Sequence, residues 1–153
     1  MVNTCGFIES AKQESIDTIL EMAQEKKRGN CRRLIVAGCL VERYRQEILD
    51  SMPEMNAVVG TNEHPGILQA CHDPAKTSMP VPPAYEAREE YLYSDTDPRV
   101  LTTPHYLAYV KIAEGCDHPC SFCVIPQMRG RFRSRPAMSV LAEIRRLAEQ
   151  GVK

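Results

Sequence analysis

Apolar positions in the first 72 residues follow two alternating rhythms. Met1 to Cys5 reads as the end of a strand. Ser10 then predicts a helix cap, with Gln13 three residues on completing a capping box. Ile16, Ile19, Leu20 and Ala23 recur at helical spacing until Gly29-Asn30. Leu34 to Ala37 is a short apolar run of the kind a fully buried strand shows, and it leads into Gly38-Cys39. A second helix is predicted from Glu42 to Met52, stopped by Pro53, then a strand over Ala57–Gly60 and a helix over Glu63–Cys71. Such strand–helix alternation predicts an α/β fold with a parallel sheet covered by helices.

The pattern breaks between 73 and 104. Six of the chain's eleven prolines fall there, beside acidic residues at Glu86, Glu89 and Glu90. This composition predicts an extended linker that Tyr85, Tyr91 and Tyr93 could dock locally. From 105 to 153 order is expected again: a strand over Tyr106–Ala113, a cysteine-rich loop, four arginines between Arg129 and Arg135, and a helix. Ser139 is the expected cap of that helix, with Leu141, Ile144, Leu147 and Ala148 on its buried face and Gly151 at its end. One strand, one loop and one helix cannot cover their own apolar faces, so 105–153 is expected to be the start of a larger, truncated domain.

Composition narrows the functional classes. At 153 residues and 43% hydrophobic, the chain can bury a core, and its net charge of −1 gives no whole-molecule attraction to nucleic acid or anionic membranes. The longest apolar run, Leu34 to Val41, is far short of a membrane span, and the N-terminus carries no secretory pattern, so a cytoplasmic protein is expected. Seven cysteines are many for that compartment. An odd count with three crowded together points to metal binding or thiol reactivity rather than a disulfide framework.

Cys116, Cys120 and Cys123 lie within eight residues. Thiolates this close can meet on one cluster without help from the rest of the fold. A 4Fe-4S cluster normally takes four cysteines; with three, one iron keeps a position open for a small molecule. Zinc is the rival, with His118 or His105 as fourth ligand, but closed zinc sites usually pair two separated CxxC-like halves. Spacing favours iron–sulfur and leaves zinc open. Cys5 and Cys39 each follow a predicted strand, at the edge where open α/β sheets bind ligands. Taken alone they read as small core residues.

The loop, with Phe122 just before its last cysteine, resembles the signature of the radical S-adenosylmethionine enzymes. The following VIPQMRGRFRSRP is similar to the segment that continues the loop in one branch, the methylthiotransferases. NTCGFIESAKQES and IVAGCL resemble two cysteine segments of that branch's N-terminal domain. The resemblance covers nearly the whole chain apart from the linker. It implies an incomplete N-terminal methylthiotransferase domain over 1–72, a Pro-rich linker over 73–104, and the first βα unit of a partial TIM-type barrel over 105–153. It also implies that Cys116, Cys120 and Cys123 ligate a 4Fe-4S cluster whose open iron chelates S-adenosylmethionine. Reduction then cleaves the cofactor to a deoxyadenosyl radical that abstracts hydrogen from an unactivated carbon, while the protein supplies geometry and excludes water. Phe122 would sit beside the cofactor. Cys5 and Cys39 would be two of three ligands of a second 4Fe-4S cluster used in sulfur delivery, the third lying upstream of this chain. Cys31 and Cys71 match no family ligand.

Gly6-Phe7-Ile8 followed by Ser10 to Ser15 resembles the branch that methylthiolates the β-carbon of an aspartate in a small-subunit ribosomal protein. The other branch, acting on an N6-modified adenosine of transfer RNA, more often has Ser-Val-Arg there. The implied partners are a ribosomal protein or the ribosome and an electron donor such as flavodoxin or ferredoxin, for a monomeric enzyme. Lacking both ends, this chain alone is expected to be inactive; a non-catalytic metal-binding fragment is the alternative of another class. Among the arginines, Arg129 beside Gly130 is the candidate for a cofactor-side role, and most of the others read as solvated.

Overall fold

The structure is a computed structural model that describes residues 1–72, 77–78 and 91–153. Tyr85, Glu86, Glu89 and Glu90 fall outside the described residues. The N-terminal half runs β1 (Val2–Thr4), α1 (Glu9–Arg28), β2 (Ile35–Gly38), α2 (Cys39–Ser51), β3 (Ala57–Val59), a 3₁₀ turn (His64–Gly66), α3 (Ile67–His72) and a two-residue β4 (Thr77–Ser78). The four strands form one parallel sheet in the order β1-β2-β3-β4, with Val2 opposite Val36, Ile35 opposite Ala57 and Ala57 opposite Thr77.

The strands are apolar throughout because helices cover both faces of the sheet. Val36 and Val58 point to one side, into a core with Ile19, Leu34, Leu40, Val41 and Ile48. Their neighbours Ile35, Ala37, Ala57 and Val59 alternate to the other side and pack on Ala70 and Ile67 of α3. The predicted strands and helices are present here, and β4 adds a short strand where only linker is expected. The capping box does not form. Helix α1 begins at Glu9, its cap residue Ile8 offers no side-chain bond, and Gln13 donates instead to Asp17.

The C-terminal part holds β5 (Ala113–Glu114), α4 (Ile125–Arg129), β6 (Arg133–Ser134) and α5 (Ala137–Glu149), with β5 and β6 antiparallel. The strand expected over Tyr106–Ala113 shrinks to the pair at its end. Alternation alone makes no strand without a neighbour to complete its ladder, and β6 supplies only two rungs. Helix α5 starts two residues before the expected cap. Ser139 lies inside it, accepting hydrogen bonds from the Asp95 amide and the Arg135 guanidinium, both at 3.1 Å. Its inward face also differs: Glu143 and Leu147 are buried, while Leu141 and Ile144 are exposed. Residues 91–99 dock on this helix, for Arg99 and Arg135 both reach Glu143, at 2.6 and 2.5 Å, and Arg135 also lies over the Tyr93 ring. Among the described residues no helix is long and apolar enough to cross a membrane.

Candidate functional site

Parallel pairing of β1 with β2 sets the first part of the site. Thr4 is opposite Gly38, so Cys5 and Cys39 leave the sheet side by side at its carboxyl edge. The approach is close: a Cβ on Gly6 would lie 2.9 Å from the Cys39 carbonyl oxygen, and only glycine fits there without displacing α2. Ser15, on the inner face of α1, accepts the Cys5 amide at 3.0 Å and donates to the Ala11 carbonyl at 2.7 Å. Both thiols are free, half-buried, and line one cavity of about 450 Å³.

The opposite wall of this cavity comes from the C-terminal part, with Lys111, Glu114 and Arg129. Glu114 accepts from both cations, from Lys111 and, at 3.2 Å, from Arg129. A second guanidinium nitrogen of Arg129 lies 4.0 Å from Cys39 Sγ. Two cations thus share one carboxylate, and the wall is net positive toward the thiols. Burial, together with the nearby Arg129 charge, holds Lys111 below the ordinary lysine range, although the Cys39 thiol pulls the other way. His64, after β3, is pushed down by burial and then by Lys111. It also lines an adjoining cavity of about 460 Å³, whose other walls include Tyr91, Tyr93 and Tyr109.

Cys116, Cys120 and Cys123 sit on the loop between β5 and α4. The Cys116 amide donates to the Gly130 carbonyl and the Cys123 amide to the Cys120 carbonyl, each at 3.1 Å. All three thiols are free; Cys120 is exposed and the other two are half-buried. The donor set suits a thiolate-ligated iron cluster in its chemistry. Among the described residues, however, no three histidine, cysteine or acidic side chains are gathered into a set that could hold a metal ion. Phe122 stands 85% exposed at the tip of the loop. Cys31 bonds the Arg33 carbonyl through its thiol, and Cys71 is exposed at the end of α3, so neither adds to either group.

The arginines divide unequally. Arg135 is buried against Glu143, Arg133 donates to the Arg129 carbonyl, and Arg131 is exposed. Ser15, Glu114 and Thr61 belong to no motif that marks them as site residues in the sequence. Ser15 carried a faint signal, being four residues before buried Ile19 on the inward stripe of α1.

The model of the family described as "Uncharacterized protein family UPF0004" matches residues 1–60. Over its whole length the chain is 57% identical to the ribosomal protein uS12 methylthiotransferase RimO of Solibacter usitatus. It is 50% and 48% identical to the proteins of that name from Koribacter versatilis and Desulforamulus reducens. From end to end, this chain is similar to proteins named RimO. It spans about a third of their length, covering 31%, 38% and 34% of these three proteins. The model match falls on the sheet that carries Cys5 and Cys39, whereas the three-cysteine loop is covered by the RimO alignments.

Proposed function

We propose that this chain is the cluster-binding portion of an enzyme that methylthiolates the β-carbon of an aspartate in ribosomal protein uS12. The observation that supports the reading is similarity over all 153 residues, at 57% identity, to a protein named as a ribosomal protein uS12 methylthiotransferase. In this reading residues 1–72 belong to the N-terminal methylthiotransferase domain. Residues 73–104 connect it to 105–153, the first βα unit of a radical S-adenosylmethionine barrel.

Cys116, Cys120 and Cys123 are the residues that would hold a 4Fe-4S cluster, the loop bringing its three thiols together on binding. When bound, the cluster and S-adenosylmethionine supply the one-electron chemistry that removes hydrogen from an unactivated carbon. Phe122, on the same loop and largely uncovered, would sit beside the bound cofactor. Cys5 and Cys39 are ligands of the second cluster, with Ser15 holding the Cys5 backbone. Arg129, paired with Glu114 and 4.0 Å from Cys39 Sγ, is the proposed cofactor-side cation, a guanidinium suited to a carboxylate.

Anaerobic reconstitution with iron and sulfide tests this directly. The chain is expected to take up about four irons at the loop, with the brown colour of an iron–sulfur cluster. Cys123→Ala is expected to lose that iron, and unchanged iron content in the variant would overturn the assignment. Zinc at one per chain and no iron after aerobic purification would favour a closed zinc site instead.

A further inference from the structure

The turn after β3 is tied to side chains of its own and of α2. The Gly60 amide donates to Glu63 at 2.6 Å, the Thr61 amide donates to Glu42 at 3.1 Å, and Glu63 is fixed in turn by Arg45 of α2 at 2.6 Å. Arg45 and Glu63 are largely buried, so the turn is braced on α2 by charge-assisted bonds shielded from water. The Thr61 hydroxyl leaves this brace and donates at 2.7 Å to the carbonyl of Met128, 67 residues away. Met128 is buried in α4, and the next residue is Arg129, whose guanidinium lies 4.0 Å from Cys39.

We propose that Thr61 is a positioning residue: its hydroxyl holds the end of α4 so that Arg129 faces Cys39. Glu114 aims the guanidinium from one side, but Glu114 belongs to the same part of the chain as Arg129 and cannot place it relative to the sheet. The Thr61–Met128 bond joins the two parts on the backbone beside Arg129. A valine at 61 keeps the shape and removes the donor, leaving a half-buried carbonyl unpaired and α4 free to withdraw.

This does not depend on either cysteine group binding a cluster, and it is tested on the metal-free chain with two thiol reagents of unlike charge. An anionic aromatic disulfide, dithiobis(nitrobenzoate), and the neutral dithiodipyridine both react with thiolate. The ratio of their rates at one cysteine therefore cancels the thiolate fraction and reports local charge. Mass spectrometry of partly labelled chain gives the ratio at Cys39, with exposed Cys71 as reference.

Arg129→Gln is expected to lower the anionic-to-neutral ratio at Cys39 by about three-fold, the order that one nearby screened charge produces. Thr61→Val is expected to lower it in the same direction, while Thr61→Ser keeps the donor and the ratio. The proposal is overturned if Thr61→Val matches the unsubstituted chain while Arg129→Gln does not, or if Thr61→Ser behaves as Thr61→Val. It is also overturned if Arg129→Gln leaves the ratio at Cys39 unchanged, or if the valine variant shifts Cys39 and Cys71 equally, which would report general loosening.

Discussion

At Gly115, one residue before the three-cysteine loop, the backbone adopts φ +77°, and a Cβ there would collide with the Arg131 carbonyl oxygen. Both facts forbid a side chain. The left-handed conformation alone costs an L-residue roughly 1–2 kcal/mol, and the contact would push β5 away from the strand after α4. Gly115→Ala is therefore expected to lower stability by at least about 1 kcal/mol in urea unfolding. It should also weaken iron uptake by the loop, because the Cys116 amide bond to Gly130 goes with it. Residues of this kind were unevenly legible. The three cysteines announce themselves by spacing. Thr61 and Glu114 do not, since a hydroxyl or carboxylate whose partner is set by tertiary packing leaves no periodic mark in the chain.

Helix α5 shows what an element's pattern does and does not specify. Its helical spacing was legible, but the face was not: Leu141 and Ile144 are 44% and 45% exposed, whereas Glu143 is 0% exposed. A glutamate in the middle of a helix normally faces water. It turns inward here because Arg135, just before the helix, and Arg99, from the docked segment, both converge on it. Removing the carboxylate would leave two guanidinium groups facing each other with little water to screen them. Glu143→Ala is expected to destabilise the chain by about 3 kcal/mol or more, the usual cost of stripping one partner from a buried charge cluster. Chemical denaturation followed by circular dichroism measures it. The strand expected over Tyr106–Ala113 failed for the opposite reason: its alternation was clear, but a strand is defined by its neighbour, and β6 pairs with only its last residue and Glu114.

For the molecule as a whole, the parallel sheet was the most legible feature, because strands buried on both faces carry continuous apolar runs. How the two parts meet was not legible. His64 sits at that junction, from the sheet side, with Lys111 and the Tyr91 ring around it. Its pKa is held below the ordinary 6.5, so the unfolded chain binds the proton more readily. Stability is then full above about pH 6.5 and falls as pH drops through and below that value. Unfolding midpoints are expected to be lower at about pH 5.5 than at about pH 7.5, and His64→Gln is expected to flatten that part of the slope. A further consequence follows from the rung that Thr4 shares with Gly38. The two thiols beyond it owe their nearness to sheet register, and none of it to the 33 residues between them. Lineages could therefore lengthen or shorten α1 and the loop behind it without parting the pair. Distant kin are better sought by a cysteine just past each of two neighbouring strands than by any fixed interval between cysteines.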